Sequence, residues 1–248
     1  DLKGAEILES TRQVDTVILD KTGTVTGGNM EMVSIFPEEE VSVLHQVAIL
    51  ESGSEHPISQ AIIRAASQKG ITLNSAQIPA DFRNYPGGGL SGTVEGKAVL
   101  AGNRSFIEER GVGIAPQMLA VLNECSRRCE TAILVAVDKQ VKAVFGFADR
   151  LKENSAQAIE ILKDLGLKPV LLTGDGQEIA HQVGKKLGIT EVIAQVKPKD
   201  KVEAVFAKQR QGALVAMIGD GVNDAAAIAQ ADLGIAMGSG TDVAIQAA

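Results

Sequence analysis

The sequence predicts an α/β fold: a doubly wound parallel sheet interrupted by an inserted α+β domain. Three observations point there. Short apolar runs alternate with helical periodicities from about residue 145 to the end, which is the rhythm of a parallel sheet covered on both faces. The same strand character opens the chain at 14–19, "VDTVIL". Residues 31–144 break that rhythm with clustered helices, a glycine-rich turn and paired alternating segments. The outer domain is therefore assigned to 1–30 and 145–248, and the inserted one to 31–144.

Each element follows from local pattern. In "KENSAQAIEILKDLG" (152–166), Ala158, Ile161, Leu162 and Leu165 share a helical face and Gly166 supplies a stop. "KPVLLT" (168–173) reads as a strand, "GQEIAHQVGKKLG" (176–188) as a helix closed by Gly188, and "EVIAQV" (191–196) as a strand. A helix over 199–212, a strand over 213–218, a helix over 222–231 and a short strand over 232–237 complete the series. In the middle, "VSVLHQVAILESG" and "PISQAIIRAASQKG" are helical, and "YPGGGLSGTVEGKAVLAGN" suggests antiparallel hairpins. A helix covers about 116–128, and "TAILVAVDKQVKAVFGF" gives two strands around a turn at Asp138–Gln140.

Bulk properties narrow the function. The 248 residues are 45% apolar, enough for a real core, yet only 3% aromatic and without Trp, so that core is Val, Ile, Leu and Ala. A net charge of −7 argues against nucleic acid as a partner, which would demand a basic footprint. No apolar run approaches the roughly 18 residues of a membrane span, and no signal peptide opens the chain. The first residue is Asp rather than Met, which suggests a piece of a longer protein. Cys125 and Cys129, four apart, are expected on one face of a helix. They could meet a metal or each other, but the metal signatures need more ligands, and two ordinary helix residues in a reducing compartment is the simpler reading.

The chemistry gathers where parallel strands end, because their carboxyl ends share one sheet edge. Strand 14–19 delivers Asp20, followed by Lys21, Thr22, Gly23 and Thr24. Strand 168–173 ends in "TGDG", offering the Thr173 hydroxyl and glycine amides. Strand 213–218 ends in "GDGVND", offering Asp220, Asn223 and Asp224, and "KPKDK" (197–201) places Lys201 at a helix start nearby. Carboxylates suit a hard cation such as Mg²⁺. A hydroxyl, amides and an ammonium suit phosphoryl oxygens, and a carboxylate can itself be the nucleophile. Any one of these loops alone is a glycine turn with a capping Asp; three on one edge are a phosphoryl-transfer kit.

"DKTGT" (20–24), "TGD" (173–175), "KPKDK" and "GDGVND" together resemble the phosphorylation-domain signatures of P-type ATPases, within the haloacid-dehalogenase-like superfamily. The resemblance covers nearly the whole chain. It implies a haloacid-dehalogenase-like fold, with Asp20 as the residue that ATP phosphorylates. Mg²⁺ would be held by Asp20, Asp220 and the Thr22 carbonyl, and phosphoryl oxygens by Thr173 and Lys201. Lys21, Asn223 and Asp224 would support the site. One departure is Gly176, where the family often has Asn after TGD. The residue two past the nucleophile separates a pump from a phosphatase of this superfamily, which usually carries a second Asp there as general acid and base. Thr22 cannot do that work at neutral pH, so an aspartyl phosphate should persist.

In the inserted domain, "SEHP" (54–57) puts His56 before Pro57 at a helix start, ordinarily a capping position. Gly87, Gly89 and Gly92 have GxGxxG spacing, but between strands, where a tight hairpin turn explains them equally well. In combination with "GN" at 102–103 they resemble the nucleotide-binding domain of the heavy-metal-transporting P-type ATPases. That likeness implies an ATP site built from Glu55, His56, Gly87, Gly89 and Asn103, with Asp149 supporting the return to the outer domain. It also implies partners: the membrane and actuator domains of the same pump, and a transported heavy metal, copper more than zinc, bound outside this chain. The sequence holds no Cys-Pro-Cys ion site and no Thr-Gly-Glu actuator loop. The expectation is thus a large loop on the cytoplasmic face of a membrane, able to bind ATP and unable to transport. A cap-bearing phosphatase is the alternative, and Thr22 and the His-Pro insert count against it. A silent nucleotide-binding module would have no use for Asp20, Lys201 and Asp220 together.

Overall fold

A computed structural model describes residues 14–74, 77–238 and 243–247. In chain order the first elements are β1 (Thr16–Asp20), β2 (Thr26–Phe36), α1 (Val41–Glu51), α2 (Pro57–Gln68), β3 (Ala80–Tyr85), β4 (Gly89–Val94) and β5 (Lys97–Gly102). There follow α3 (Arg104–Glu109), α4 (Pro116–Arg127), β6 (Thr131–Val137), β7 (Gln140–Leu151), α5 (Ser155–Asp164), β8 (Lys168–Leu172) and α6 (Gln177–Leu187). The last are β9 (Glu191–Ile193), α7 (Lys201–Arg210), β10 (Val215–Asp220), α8 (Ala225–Gln230), β11 (Leu233–Met237) and β12 (Val243–Ala247). These residues form two compact units, one from the described residues up to Asn29 and from Asp149 onward, the other Met30–Ala148.

The first unit is built on a sheet of order β12-β11-β10-β1-β8-β9. β1 lies at its centre, parallel to both β10 and β8, with Leu19 opposite Ile218 and Asp20 opposite Leu172. Every residue of β1 is buried, as a strand covered on both faces must be. Ile18, Val170, Leu172, Val215 and Met217 pack against Val205 of α7 and Ala227 and Ile228 of α8. α6 ends where expected: Gly188 takes φ +75°, a left-handed cap open to glycine, and its N–H reaches the Gly184 and Lys185 carbonyls. One departure from an all-parallel sheet is β12, which runs antiparallel to β11 at the edge.

The second unit is a sheet of order β2-β7-β6-β5-β4-β3, with β3 through β7 pairing antiparallel in sequence. β2 and β7 are the strands along which the chain passes from one unit to the other. The sheet is covered on both faces. Ile133, Val135 and Val137 of β6 join a core with Leu44, Val47 and Leu50 of α1 and Ile62 of α2. Leu134 and Ala136, pointing oppositely as strand alternation requires, join Phe106 and Ile107 of α3 and Cys125 of α4. The β6–β7 turn falls at Asp138 and Lys139, both with positive φ, the backbone a tight two-residue hairpin needs.

Three elements lie outside what the periodicity shows: the eleven-residue β2, the short α3 and the edge strand β12. The cysteine pair is corrected. α4 ends at Arg127, and Cys129 lies beyond it at φ +63°, half-buried, while Cys125 is buried in the core. The helix thus stops before it can bring the two onto one face. Among the described residues, no group of three or more His, Cys, Asp or Glu is placed to hold a metal, and no helix is long and apolar enough to cross a membrane.

Candidate active site

The sheet edge of the first unit assembles Asp20, Lys201, Asp224 and Asp220. Asp20 ends the central strand and is 3% exposed. Lys201, the first residue of α7, reaches in from the side, with Nζ 3.1 Å from Asp20 Oδ2 and 2.8 Å from Asp224 Oδ1. Asp224, fully buried, accepts through Oδ2 from the Asp220 N–H at 2.8 Å. Gly219 makes this possible: a Cβ there would stand 2.5 Å from Asp224 Oδ2. Asp220 closes the turn by accepting at Oδ1 from the N–H groups of Val222 and Asn223. Its Oδ2 has a long contact of 3.4 Å from the Asn223 side-chain amide. α8 accordingly starts at Ala225 rather than 222, because Val222–Asp224 are used in the turn.

The electrostatics are those of a site short of positive charge. Burial, reinforced by Asp224, raises the Asp20 carboxyl well above the usual carboxylate range, and Lys201 only partly opposes it. Burial also works against ionising Asp224, but its hydrogen bonds to Asp20 and Lys201 outweigh that and hold it low. Lys201 is raised, because what burial takes away its contacts with Asp224 and Asp20 more than return. One ammonium thus serves two buried carboxylates, with a third, Asp220, beside them. Such a deficit, with hard oxygens and the weakly engaged Asp220 Oδ2, suits Mg²⁺, which needs only one or two carboxylates and completes its shell with water and phosphate.

The loop after Asp20 is held from behind. Gly23 takes φ +80°, and its N–H donates to Thr26 Oγ1 at 3.1 Å. Thr26 in turn donates to Asp149 Oδ2 at 2.6 Å, and Asp149 Oδ1 accepts from Gly28 N–H. Lys21 is buried and pairs with Asp175 at 2.6 Å, so it points away from solvent and braces the TGD loop. Thr173 is buried, its hydroxyl accepting from Asp175 N–H. Thr22 is exposed and Thr24 buried, with the Thr24 hydroxyl lacking a partner. Asp175 is a site residue that the strand-end reasoning left without a role.

The second unit contains a cavity of about 290 Å³. His56, Gly87, Gly89 and Asn103 all line it. Gly87 takes φ +76°, and a Cβ on Gly89 would meet the Ala101 carbonyl at 2.3 Å, so β4 and β5 close up here only because glycine is present. Gly102 carries the same constraint against Gly88 O at 2.5 Å. Asn103 caps α3 by accepting from Phe106 N–H and ties the turn by donating to Gly87 O. His56 Nδ1 accepts from Ile58 N–H, capping α2. Beneath the turn, Arg110 lies over the Tyr85 ring at 4.0 Å and the Phe106 ring at 4.6 Å.

Glu55 is exposed and not among the lining residues, whereas Glu51, five before His56, is 5% exposed and lines the cavity. Its Oε1 accepts from Ser59 Oγ at 3.2 Å, and its buried Oε2 has no partner. Burial pushes its carboxyl from the ordinary 4.5 up to about 7, which Ser59 only partly offsets. The available signal in the sequence was a carboxylate ending the apolar helix "VSVLHQVAILE".

Comparison with known proteins places these sites in context. A family model described as haloacid dehalogenase-like hydrolase matches residues 14–232. A probable copper-exporting P-type ATPase V of Mycobacterium tuberculosis is 41% identical over 249 residues, covering 99% of this chain and 32% of the relative. A copper-exporting P-type ATPase of Staphylococcus saprophyticus is 40% identical over 246 residues, 99% of this chain and 30% of its own length. The chain therefore spans about a third of the curated relatives it matches. Among solved structures, a zinc-transporting PIB-type ATPase in its E2.Pi state superposes with a TM-score of 0.74 at 34% identity, over 96% of this chain and 38% of that one. The catalytic domain of the CPx-ATPase CopB-B gives a TM-score of 0.62 at 28% identity, over 92% and 82% respectively.

Proposed function

The chain belongs to the haloacid dehalogenase-like hydrolase family, and within it we propose that these residues are the ATP-binding, phosphorylated part of a copper-exporting P-type ATPase. ATP binds in the cavity of the second unit. An Asp20 carboxylate oxygen attacks the terminal phosphorus of ATP, forming an acyl phosphate as the bond to the ADP oxygen breaks. The observation that carries this reading is the Lys201 ammonium bridging Asp20 and Asp224 at the sheet edge. Lys201 offsets charge on the transferring group, and Asp224 positions Lys201 and, through its N–H contact, Asp220. Asp20, Asp220 and the Thr22 carbonyl would hold Mg²⁺, whose part is to neutralise phosphoryl charge. Thr173 and the amides of its loop bind phosphoryl oxygens, and Asn223 steadies Asp220. Lys21, paired with Asp175, braces the loop.

The remainder of the reading concerns a longer protein. Membrane and actuator domains of the same pump complete it, copper binds in that membrane part, and the present residues lie on its cytoplasmic face. Copper rather than zinc is proposed because relatives named copper-exporting match almost all of the chain.

The test is acid-quenched labelling with ATP carrying a radioactive terminal phosphate, in Mg²⁺, beside Asp20→Asn. The expected result is an acid-stable, hydroxylamine-sensitive label that is absent from D20N. A label that survives in D20N refutes the assignment of the nucleophile.

A further inference from the structure

Three glycines of the cavity wall turn the place of their missing side chains toward one aromatic ring. A Cβ on Gly88 would stand 3.1 Å from Phe106 Cδ1, one on Gly89 2.9 Å from Phe106 Cδ2, and one on Gly102 2.7 Å from the same atom. These glycines line the cavity and Phe106 does not, so the ring lies against the back of the wall. At Gly89 and Gly102 a backbone carbonyl stands closer still. At Gly88 the ring is the nearest obstacle, and the next, Tyr85 O, is 3.5 Å away.

The ring is itself held. Phe106 is 3% exposed, and its N–H donates to Asn103 Oδ1 at 2.8 Å. Tyr85 leans on it, with ring centroids 5.4 Å apart and planes at 50°, and Arg110 lies over both rings. Contacts of this kind are directional, so they fix the orientation of the ring as well as its place. Hydrogen bonds close the circuit on the wall side: Gly88 N–H donates to Tyr85 O at 2.9 Å, and Asn103 N–H to Gly88 O at 3.0 Å. A close-packed arrangement leaves no slack, so a displacement of the ring is passed to the wall.

We propose that Phe106 is a positioning residue for the nucleotide: its ring sets where the Gly88–Gly89 wall stands, and position 88 is glycine to seat that ring rather than to admit the ligand. This rests on the ATP-site reading above and adds to it a residue outside the cavity lining. Glycine beside a ligand is ordinarily explained by close approach of the backbone. The two explanations separate on substitution. If the ligand needs the space, a methyl at 88 harms binding whatever lies behind it. If the ring needs the space, a smaller side chain at 106 makes room for the methyl.

The test is a double-mutant cycle of Gly88→Ala and Phe106→Leu, with ATP affinity read by calorimetric titration without Mg²⁺ so that no phosphoryl transfer occurs. Urea unfolding midpoints are measured on the same proteins. Leucine gives up much of the volume that the methyl takes, and volume-conserving exchanges are tolerated best. The expected result is about a tenfold loss of affinity in G88A, about threefold in F106L, and a double mutant within about threefold of the wild type, a coupling of about tenfold. Losses that multiply to about 30-fold in the double mutant overturn the inference. So do unchanged affinities beside lowered unfolding midpoints, the mark of a ring that only stabilises the fold. Either outcome leaves the ATP site standing, whereas a wild type that binds no ATP overturns the site and the inference together. Should G88A not fold, F106L and Arg110→Ala decide the question, the latter at an exposed residue that holds the ring from outside. About threefold weaker binding in each supports the inference, and unchanged binding in F106L overturns it.

Discussion

A buried acid with a displaced titration leaves a mark on stability even without nucleotide. In the unfolded chain Glu51 ionises near 4.5, whereas in the fold it holds its proton to about 7. Between those values the unfolded state has released a proton that the folded state retains, so unfolding becomes easier as pH rises. Each pH unit of that window is worth about 1.4 kcal/mol, giving on the order of 3 kcal/mol in all, complete above pH 7 and absent below 4.5. Glu51→Gln carries no such term. The stability of E51Q relative to the wild type should therefore climb by up to ~3 kcal/mol from pH 4.5 to 8, whatever constant offset the amide introduces. Urea unfolding followed by tyrosine fluorescence measures this in the right place. Tyr85 is the only tyrosine, no tryptophan competes, and it belongs to the unit that contains Glu51. Unfolding also removes the Arg110 guanidinium from its ring face. A stability difference that does not change with pH would refute the burial argument.

Two further substitutions test other parts of the structure. Gly89→Ala drives a methyl to within 2.3 Å of the Ala101 carbonyl, and should cost the second unit about 1–3 kcal/mol and weaken ATP binding about tenfold by closing the cavity. Gly87→Ala meets nothing within 4 Å but sits at φ +76°, and should cost only about 1 kcal/mol; equal losses in the two, by the same tyrosine-monitored unfolding, would contradict the close-approach account. Thr22→Asp places a carboxyl on an exposed residue of the loop beside Asp20. General acid–base catalysis is worth about 10²–10⁴-fold, so the lifetime of the labelled intermediate in a cold-ATP chase should shorten by at least tenfold. An unchanged lifetime would remove Thr22 from the explanation of why the acyl phosphate persists.

The contrast between the two sites shows what a sequence can carry. Asp20, Thr173 and Asp220 were legible because parallel topology converts three strand ends, 153 and 47 residues apart in the chain, into one edge. Continuous apolar runs announce the strands, and β1 pairs with both β8 and β10 in the register that makes those ends coincide. Gly87, Gly89 and Asn103 came from the family resemblance rather than from spacing, and at Gly89 the geometry supplies a reason for glycine, since β4 and β5 approach too closely there for a Cβ.

Glu51 and Glu55 differ in a property that local pattern does not encode. Both are carboxylates close to His56, and nothing in the spacing separates them. α1 buries its last turn in the unit's core, Leu50 at 0% exposure and Glu51 beside it at 5%, while the chain then turns through Ser52–Ser54 and leaves Glu55 in solvent. Which of the two carboxylates lines the cavity is decided by which side of that turn it occupies. Cys129 fails for the related reason that α4 stops at Arg127, so a spacing of four carries no facial meaning beyond it. β2 went unseen because its opening "TGGN" reads as a turn, and its strand character comes from its place beside β7. Wherever partner elements decide the environment, sequence supplies the candidates and packing chooses among them. At Glu51 the choice was a buried carboxyl with one oxygen accepting from Ser59 and the other without a partner.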